Sequence, residues 1–224
     1  MKYRKTNPKE IFNAPCIAPD IPPDLSELEN AIELFRQREI TIRESRIGNL
    51  SAEDLRESTL RLESCVLTRV SFSRSHLNGM KLKDVLLVEC DFANATVHGM
   101  VALRVEFQNC RLTGFRANES DFQHALISGG DAGYAQFRMG KFRSVRFDSC
   151  NFADSDFHDA DLRGTVIKDC NLRNAEMSGA KLEDADLRGS ELEGLQAQAD
   201  DLKGAIVDPA QAIVLAGIMG LKIQ

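Results

Sequence analysis

The sequence predicts a single repeat solenoid that turns a corner every five residues, and two regularities support this. Every fifth residue from Ile42 to Leu202 is large and apolar at 27 of 33 positions, and nine of the twelve Phe residues lie in this register. A helix repeats near 3.6 residues and a strand at two, so a period of five belongs to neither element. The second regularity is that the residue two positions before each of these centres is usually small.

The sizes of these two positions compensate each other. Where the centre is small, the residue two before it is large: Met100 accompanies Ala102, and Phe115 accompanies Ala117. A densely packed interior requires such conservation of volume, so both positions are predicted to point inward. The register is expected to run unbroken from 40 to 207.

The clearest stretch of the repeat reads Ala160-Asp161-Leu162-Arg163-Gly164 and recurs at Ala185-Asp186-Leu187-Arg188-Gly189. This A-(D/N)-(L/F)-x-x pattern resembles the pentapeptide-repeat family over roughly three quarters of the chain. The resemblance implies an all-β fold, a right-handed quadrilateral parallel β-helix with four pentapeptides per coil. About eight coils are then expected, and at ~4.8 Å per stacked strand the rod is roughly 40 Å long.

Three segments are predicted: an N-terminal arm and capping helix over 1–39, the β-helix over 40–207, and a C-terminal helix over 208–224. A helix start is indicated where Asp24-Leu25-Ser26-Glu27 follows two prolines. It is followed by an apolar stripe at helical spacing, formed by Leu25, Leu28, Ile32 and Phe35. We expect a helix over 24–37 to cover the first coil, with 1–21 as an arm.

At the other end, Asp208-Pro209 is typical of a helix N-cap and first turn, and predicts a helix through about Ile218. The segment is apolar nearly all round. We expect Ile213 and Ile218 to face the solenoid, and Leu215 and Met219 to face elsewhere. An outer apolar face favours a homodimer through these four residues. The resemblance to pentapeptide-repeat proteins of the quinolone-resistance type also implies pairing through this end.

Charge is distributed unevenly along the chain. Residues 148–208 contain 15 acids and 6 bases, whereas residues 1–147 contain 19 acids and 21 bases. The acidic half predicts a partner-binding surface, because a field of one sign biases which partners can approach. Its candidate residues are Asp154, Asp156, Asp159, Asp161, Asp184 and Asp186. A belt without acids is the alternative contact surface, and it consists of Arg138, Lys141, Arg143 and Arg146.

One stretch departs from the packing rule. Between Gly129 and Tyr134 both inward positions, Gly130 and Ala132, are small. Either the coil is narrower there or the glycines form a bulge or short loop. The stretch is either a purely structural irregularity or a contact feature in which Tyr134 is exposed on the surface.

The sequence favours a protein without catalytic or cofactor chemistry. Five cysteines occupy the small inward position and are predicted to be core residues rather than metal ligands or disulfides: Cys65, Cys90, Cys110, Cys150 and Cys170. No HExxH, GxSxG, P-loop or CxxC spacing occurs. A convex rod also lacks the concave, partly dry site that acid–base catalysis needs.

Neither a secretory signal nor a membrane span is expected. The first twelve residues lack an apolar signal-peptide core, and the longest apolar stretch, 210–221, is too short for a bilayer. A cytoplasmic protein is therefore predicted.

Two functions are compatible with these features. The first is a non-enzymatic interaction scaffold with an unknown protein partner. The alternative is an acidic dimeric DNA mimic, which the resemblance to the quinolone-resistance proteins implies. Its partner would be DNA gyrase or topoisomerase IV, with no direct nucleic acid binding.

Overall fold

The computed structural model describes residues 14–15, 39–56, 59–218 and 220–222. Its elements are β1 (Glu39–Arg43), β2 (Arg46–Gly48), β3 (Thr59–Thr68), β4 (Lys81–Val88), β5 (Val101–Gln108), β6 (Asp121–Ser128), β7 (Lys141–Arg143), β8 (Arg146–Asp148), β9 (Val166–Lys168) and helix α1 (Pro209–Ile218). The capping helix and arm predicted before residue 39 lie outside the described residues, as does Met219.

Backbone pairing in the described part is parallel and links residues twenty positions apart. One sheet runs in the order β1-β3-β4-β5-β6-β8-β9, with β2 also on β3 and β7 also on β6. The sheet has about six turns, slightly fewer than the eight expected, and single bridges extend its columns to Asp186 and Ile206. The predicted parallel β-solenoid is confirmed.

Four columns of paired residues define four faces of the rod. Face 1 contains every twentieth residue from 41 to 181, and face 2 every twentieth residue from 46 to 206. Face 3 likewise runs from 51 to 191, and face 4 from 76 to 196. Within each pentapeptide the centre and the residue two before it point inward, as predicted.

The interior is a continuous apolar stack. Five successive centres are Phe, from Phe137 to Phe157, and all are at most 2% exposed. The Phe152 ring centroid lies 5.0 Å from that of Phe147 and 5.6 Å from that of Phe157. The predicted compensation of volume is confirmed, since Met100, Ala102, Phe115 and Ala117 are all buried.

Corners of the rod fall at the residue two after each centre. There φ is positive, from 48° at Glu44 to 60° at Tyr134 among the non-glycine residues. Gly, Asn and Asp tolerate this left-handed conformation best. Some corner residues also fit sterically against the corner residue of the neighbouring coil. Asn94 Oδ1 lies 2.5 Å from where a Cβ of Gly114 would be, so the glycine makes room for the amide of the coil before it.

Two kinds of corner occur. At a closed corner, the N–H after the corner donates to the carbonyl of the centre, as Ala95 does to Phe92 over 3.0 Å. This bond and the positive φ are features of a type II turn. Most corners between faces 3 and 4 and between faces 4 and 1 are closed. The corners between faces 2 and 3 are open from residue 49 to 169: they bend without that bond.

Cysteines occupy several positions after open corners, where the carbonyl of the centre lacks its turn partner. The Cys90 thiol donates to Leu67 O over 3.6 Å, and Cys150 to Ile127 O over 3.2 Å, each in the preceding coil. Ser190 does the same with its hydroxyl to Ile167 O over 2.9 Å. The predicted core role of the five cysteines is confirmed, since all are buried free thiols. Burial also raises the pKa of the Cys65 thiol.

The glycine stretch at 129–134 does not form a projecting loop. Asp131 pairs with Arg111 and Asn151 in the regular column, and the Gly129 N–H donates to Asp148 O over 3.0 Å. A Cβ on Gly130 would lie 2.8 Å from Cys110 O, so this position requires glycine.

The predicted register fails at one place, in the last coil. Residues 199–204 form successive turns. The Asp184 N–H donates to Gly204 O, twenty residues on, whereas one coil earlier the Gly164 N–H donates to Glu183 O, nineteen residues on. Leu202, the last centre, is only partly buried. Ile206 then returns to its place opposite Asp186.

Helix α1 is confirmed at the predicted position. Asp208 Oδ1 accepts the Gln211 N–H, and Gln211 Oε1 accepts the Asp208 N–H, both over 2.9 Å. This is a reciprocal cap of the kind a capping box makes. Backbone N–H groups of Gln211 and Gly189 lower the pKa of Asp208. The Gln211 amide also donates to Leu187 O and Ser190 O over 2.6 and 2.7 Å, which fixes the helix to the solenoid.

The expected orientation of α1 is wrong for two residues. Leu215 is 9% exposed and belongs to the core, whereas Ile213 is 58% exposed. Ile218 packs against the core as predicted. The reason is that Gln211 points inward to its two carbonyls, and residues four apart share a helix face, so Leu215 follows it. An all-apolar helix carries no periodic signal that could have set this rotation.

Candidate interaction surfaces

The six predicted acidic residues all point outward, but the structure does not bring them into one site. Asp154, Asp159 and Asp184 occupy corners, with φ between 56° and 59°, and are exposed. The other three lie in the mid-face columns of faces 4, 1 and 2: Asp156, Asp161 and Asp186.

Each of the mid-face carboxylates is bonded to an arginine. The shortest N–O distances are 3.2 Å for Asp156 with Arg138, 2.6 Å for Asp161 with Arg163, and 2.7 Å for Asp186 with Arg188. Hydrogen bonds from these guanidinium groups lower the pKa of Asp161 and Asp186. The arginines offset the charge of these three carboxylates locally.

Sign alternates along face 1. Its paired column reads Asp121, Lys141, Asp161 and Lys181. Faces 3 and 4 differ: among their outward residues between 151 and 199, Arg173 is the only Lys or Arg. The carboxylates of this acidic surface are Asp154, Asp156, Asp159, Glu176, Glu191 and Glu193. The negative charge of the C-terminal half is thus concentrated on two adjacent faces.

The basic belt is largely neutralised within the chain. Arg143 lies 3.2 Å from Asp121, and Arg146 lies 2.5 Å from Asp148. Arg138 pairs with Asp156, as described above. Lys141 has no ion pair among the described residues. The belt therefore presents less free positive charge than its sequence suggested.

Two exposed side chains occupy consecutive corners of one coil. Tyr134 is 66% exposed with φ 60°, and Met139 is 48% exposed with φ 55°. They lie at the two ends of the same pentapeptide of face 4. Sequence reasoning selected Tyr134 but missed Met139, although both fall on the fifth position of the repeat, where polar residues and glycine prevail.

Of the predicted dimerisation residues, Ile213 is well placed on the outside of α1. Leu221, just beyond the helix, is 60% exposed. Leu215 is unavailable because it belongs to the core of its own chain. Ile213 and Leu221 are thus the large exposed apolar residues among those that the structure describes at this end.

A surface depression of about 550 Å³ lies beside the irregular turns of the last coil. Its lining includes Lys181, Glu183, Asp201 and Lys203. Charges of both signs border it in contact with solvent. No helix in the described part of the chain is long and apolar enough to cross a membrane.

These features define a class of protein, a repeat solenoid that displays outward side chains on a fixed grid. Residues 102–177 match the family model described as a pentapeptide repeat region. This match identifies a pentapeptide-repeat region in the middle of the chain, and the same register continues on both sides of the matched segment.

Solved structures with a similar chain path include a trypsin-treated variant of QnrB1, a plasmid-mediated fluoroquinolone resistance protein. It is 22% identical, covers 84% of this chain and 94% of its own, and has a TM-score of 0.40. HetL from Nostoc sp. strain PCC 7120, a pentapeptide repeat protein involved in heterocyst differentiation regulation, is 20% identical. The match covers 77% of this chain and 91% of HetL, with a TM-score of 0.38. At these TM-scores neither similarity carries an argument about function. A comparison with curated proteins finds no match.

Proposed function

We propose that this chain is a non-enzymatic interaction scaffold that binds a protein partner through its acidic surface on faces 3 and 4. The observation that carries the proposal is the segregation of charge in the C-terminal half. Between residues 151 and 199, faces 3 and 4 present six carboxylates and a single Lys or Arg, Arg173, which pairs with Glu191 and Glu193. In the same range the acids of faces 1 and 2 are mixed with four bases: Arg163, Lys168, Lys181 and Arg188. Such a field attracts a basic surface and orients it on approach.

A reducing compartment such as the cytoplasm suits this chain. Five buried cysteines are free of disulfides and serve as weak donors to backbone carbonyls. Free thiols persist where glutathione and thioredoxin keep them reduced.

The acidic surface also favours a second candidate, the dimeric DNA mimic. DNA is a rod of regularly spaced negative charge. Two solenoids joined at the exposed end of α1 would place their acidic halves together at the centre of one longer rod. In this candidate the partner is DNA gyrase or topoisomerase IV, bound in place of DNA.

Charge reversal on matched faces tests the scaffold. A face 3 and 4 variant carries Asp154→Lys, Asp159→Lys and Glu193→Lys. A control variant carries the same change of charge on face 1, through Asp161→Lys, Glu183→Lys and Asp184→Lys. We expect the first variant to lose cross-linking to the protein partner in cells while the control retains it. Equal behaviour of the two variants would contradict the acidic surface as the binding site.

The mimic candidate is tested on purified components. Light scattering of the wild type at tens of micromolar should give a dimer, and Ile213→Asp should give a monomer. A gyrase supercoiling assay, with and without a fluoroquinolone, should respond to the wild type and not to Ile213→Asp. If the wild type is monomeric, or if adding it leaves gyrase supercoiling unchanged, the mimic is ruled out and the scaffold remains.

A further inference from the structure

Tyr134 and Met139 hold an unfavourable backbone conformation with no compensating burial. The solenoid imposes left-handed φ at its corners, and this conformation is costly for residues with large side chains. The other two corners of the same coil, Ser144 and Ser149, are small and polar. Among the described non-glycine corners, only Tyr134 and Met139 are large, apolar and exposed.

The two side chains frame a surface that one partner segment can span. Five residues of extended chain separate them, which is at most about 18 Å. Between them lie Gln136 and Arg138 of face 4. Tyr, Met and Arg are the residue types enriched at the centres of protein interfaces. Gly114 stands at the corner before Tyr134, so no side chain from that residue covers the ring.

The charged residues around Tyr134 and Met139 indicate which kind of partner can bind there. Arg116 lies in the face 4 column directly beside Gln136, is exposed, and has no ion pair among the described residues. It is suited to receive a carboxylate. Nucleic acid is disfavoured, because Glu119 and Asp159 occupy the corners on either side of Met139 and would repel phosphates.

We propose that Tyr134 and Met139 anchor a docking surface on face 4 for a protein segment bearing an apolar side chain and a carboxylate, which Arg116 binds. This inference rests on the proposed scaffold function and locates a second contact for the partner, on the N-terminal side of the acidic surface.

Site-specific photo-cross-linking tests the surface. A benzophenone amino acid is placed at position 134 or 139, at 144 or 149 as controls in the same coil, and at 193 on the acidic surface. We expect positions 134 and 139 to cross-link to one partner segment, mapped by mass spectrometry, that contains an apolar residue and an Asp or Glu. Positions 144 and 149 should give no such product. Arg116→Glu should reduce the yield at least tenfold, and Arg116→Lys should largely restore it.

Several outcomes would overturn the inference. Cross-links to nucleic acid or to a second copy of this chain, a segment without an acid, or insensitivity to Arg116→Glu would each do so. Cross-links from position 193 but not from 134 and 139 would refute this surface and leave the scaffold function standing. No partner at any position would refute both.

A stability measurement separates a binding role from a structural one. Asn tolerates left-handed φ better than Tyr or Met. Tyr134→Asn and Met139→Asn should therefore keep or raise the thermal unfolding midpoint while losing the cross-link to the partner from position 193. A lowered midpoint would mean that these side chains stabilise the fold instead.

Discussion

Corners on different sides of the rod differ in their backbone hydrogen bonding. Between faces 3 and 4 and between faces 4 and 1, most corners close with a backbone hydrogen bond from the residue after the corner, commonly Ala, Ser or Met. Between faces 2 and 3, the corners from 49 to 169 stay open, and the residue that follows is Cys at four of these seven corners and Val at one. Val favours extended backbone, and Cys supplies a thiol to the carbonyl that the missing turn leaves free. The small inward position therefore selects the corner type as well as filling space.

Substitutions in the core should cost the same on different sides of the rod, because all sides contribute side chains to one apolar stack. Phe152 on face 3 and Phe122 on face 1 are each at most 1% exposed, and Phe122 stacks on Phe142 at 5.0 Å. Phe152→Ala and Phe122→Ala should each lower the free energy of unfolding by roughly 3–5 kcal/mol, since neighbouring rings cannot collapse into the cavity. Urea denaturation measures both. A cost below about 1 kcal/mol for either would contradict the shared core.

Substitutions of the residue after the corner should cost different amounts of stability at closed and at open corners. Ala175 follows a closed corner and donates its N–H to Leu172 O over 3.1 Å. Ala175→Val should cost about 1–3 kcal/mol through overpacking, whereas Cys110→Val at an open corner should cost less than about 1.5 kcal/mol. The same denaturation experiment compares them. If Cys110→Val costs more than Ala175→Val, the two corner types do not depend on this residue.

Acid should reduce the stability that the ion pairs between carboxylates and arginines contribute. The folded pKa of Asp186 is lowered, chiefly by its bond to Arg188. Its contribution is therefore present above the unfolded pKa of about 4 and is lost as pH falls through the folded value. Asp186→Asn should cost at most about 1 kcal/mol near neutral pH, as for other partly exposed pairs.

Thermal unfolding from pH 7 down to about 2 follows this effect. The Asp186→Asn variant should lose less stability than the wild type over the acidic part of that range. The matched control is Asp184→Asn, at an exposed corner on the same coil. Parallel pH profiles for wild type and Asp186→Asn would contradict the ion pair's contribution.

The smallest effect is expected at an acidic corner. Asp154 is exposed with φ 57° and accepts one hydrogen bond, from Asn174 over 3.2 Å. Asp154→Asn keeps a residue that tolerates this backbone, so the free energy of unfolding should change by no more than about 0.5 kcal/mol. Calorimetry that shows a larger loss would mean that this corner stabilises the stack.

Much of the architecture could be predicted from the period of the sequence. Repetition every five residues places Phe152 and its equivalents inside and Asp154 outside, and pairs of small and large residues confirm which positions share the interior. The candidate sites could be predicted only in part. Outward positions were correct for all six aspartates, but their arginine partners, such as Arg138 for Asp156 eighteen residues away, depend on how coils stack.

The sequence by itself thus determined the solenoid, its inward positions and the start of α1, because each follows from local spacing. The tertiary structure alone decided how charges distribute over four faces. It also decided which side of α1 meets the core. The rotation of α1 is the clearest case: an apolar helix has no preferred face, and the Gln211 amide chooses one only when the carbonyls of Leu187 and Ser190 lie within reach.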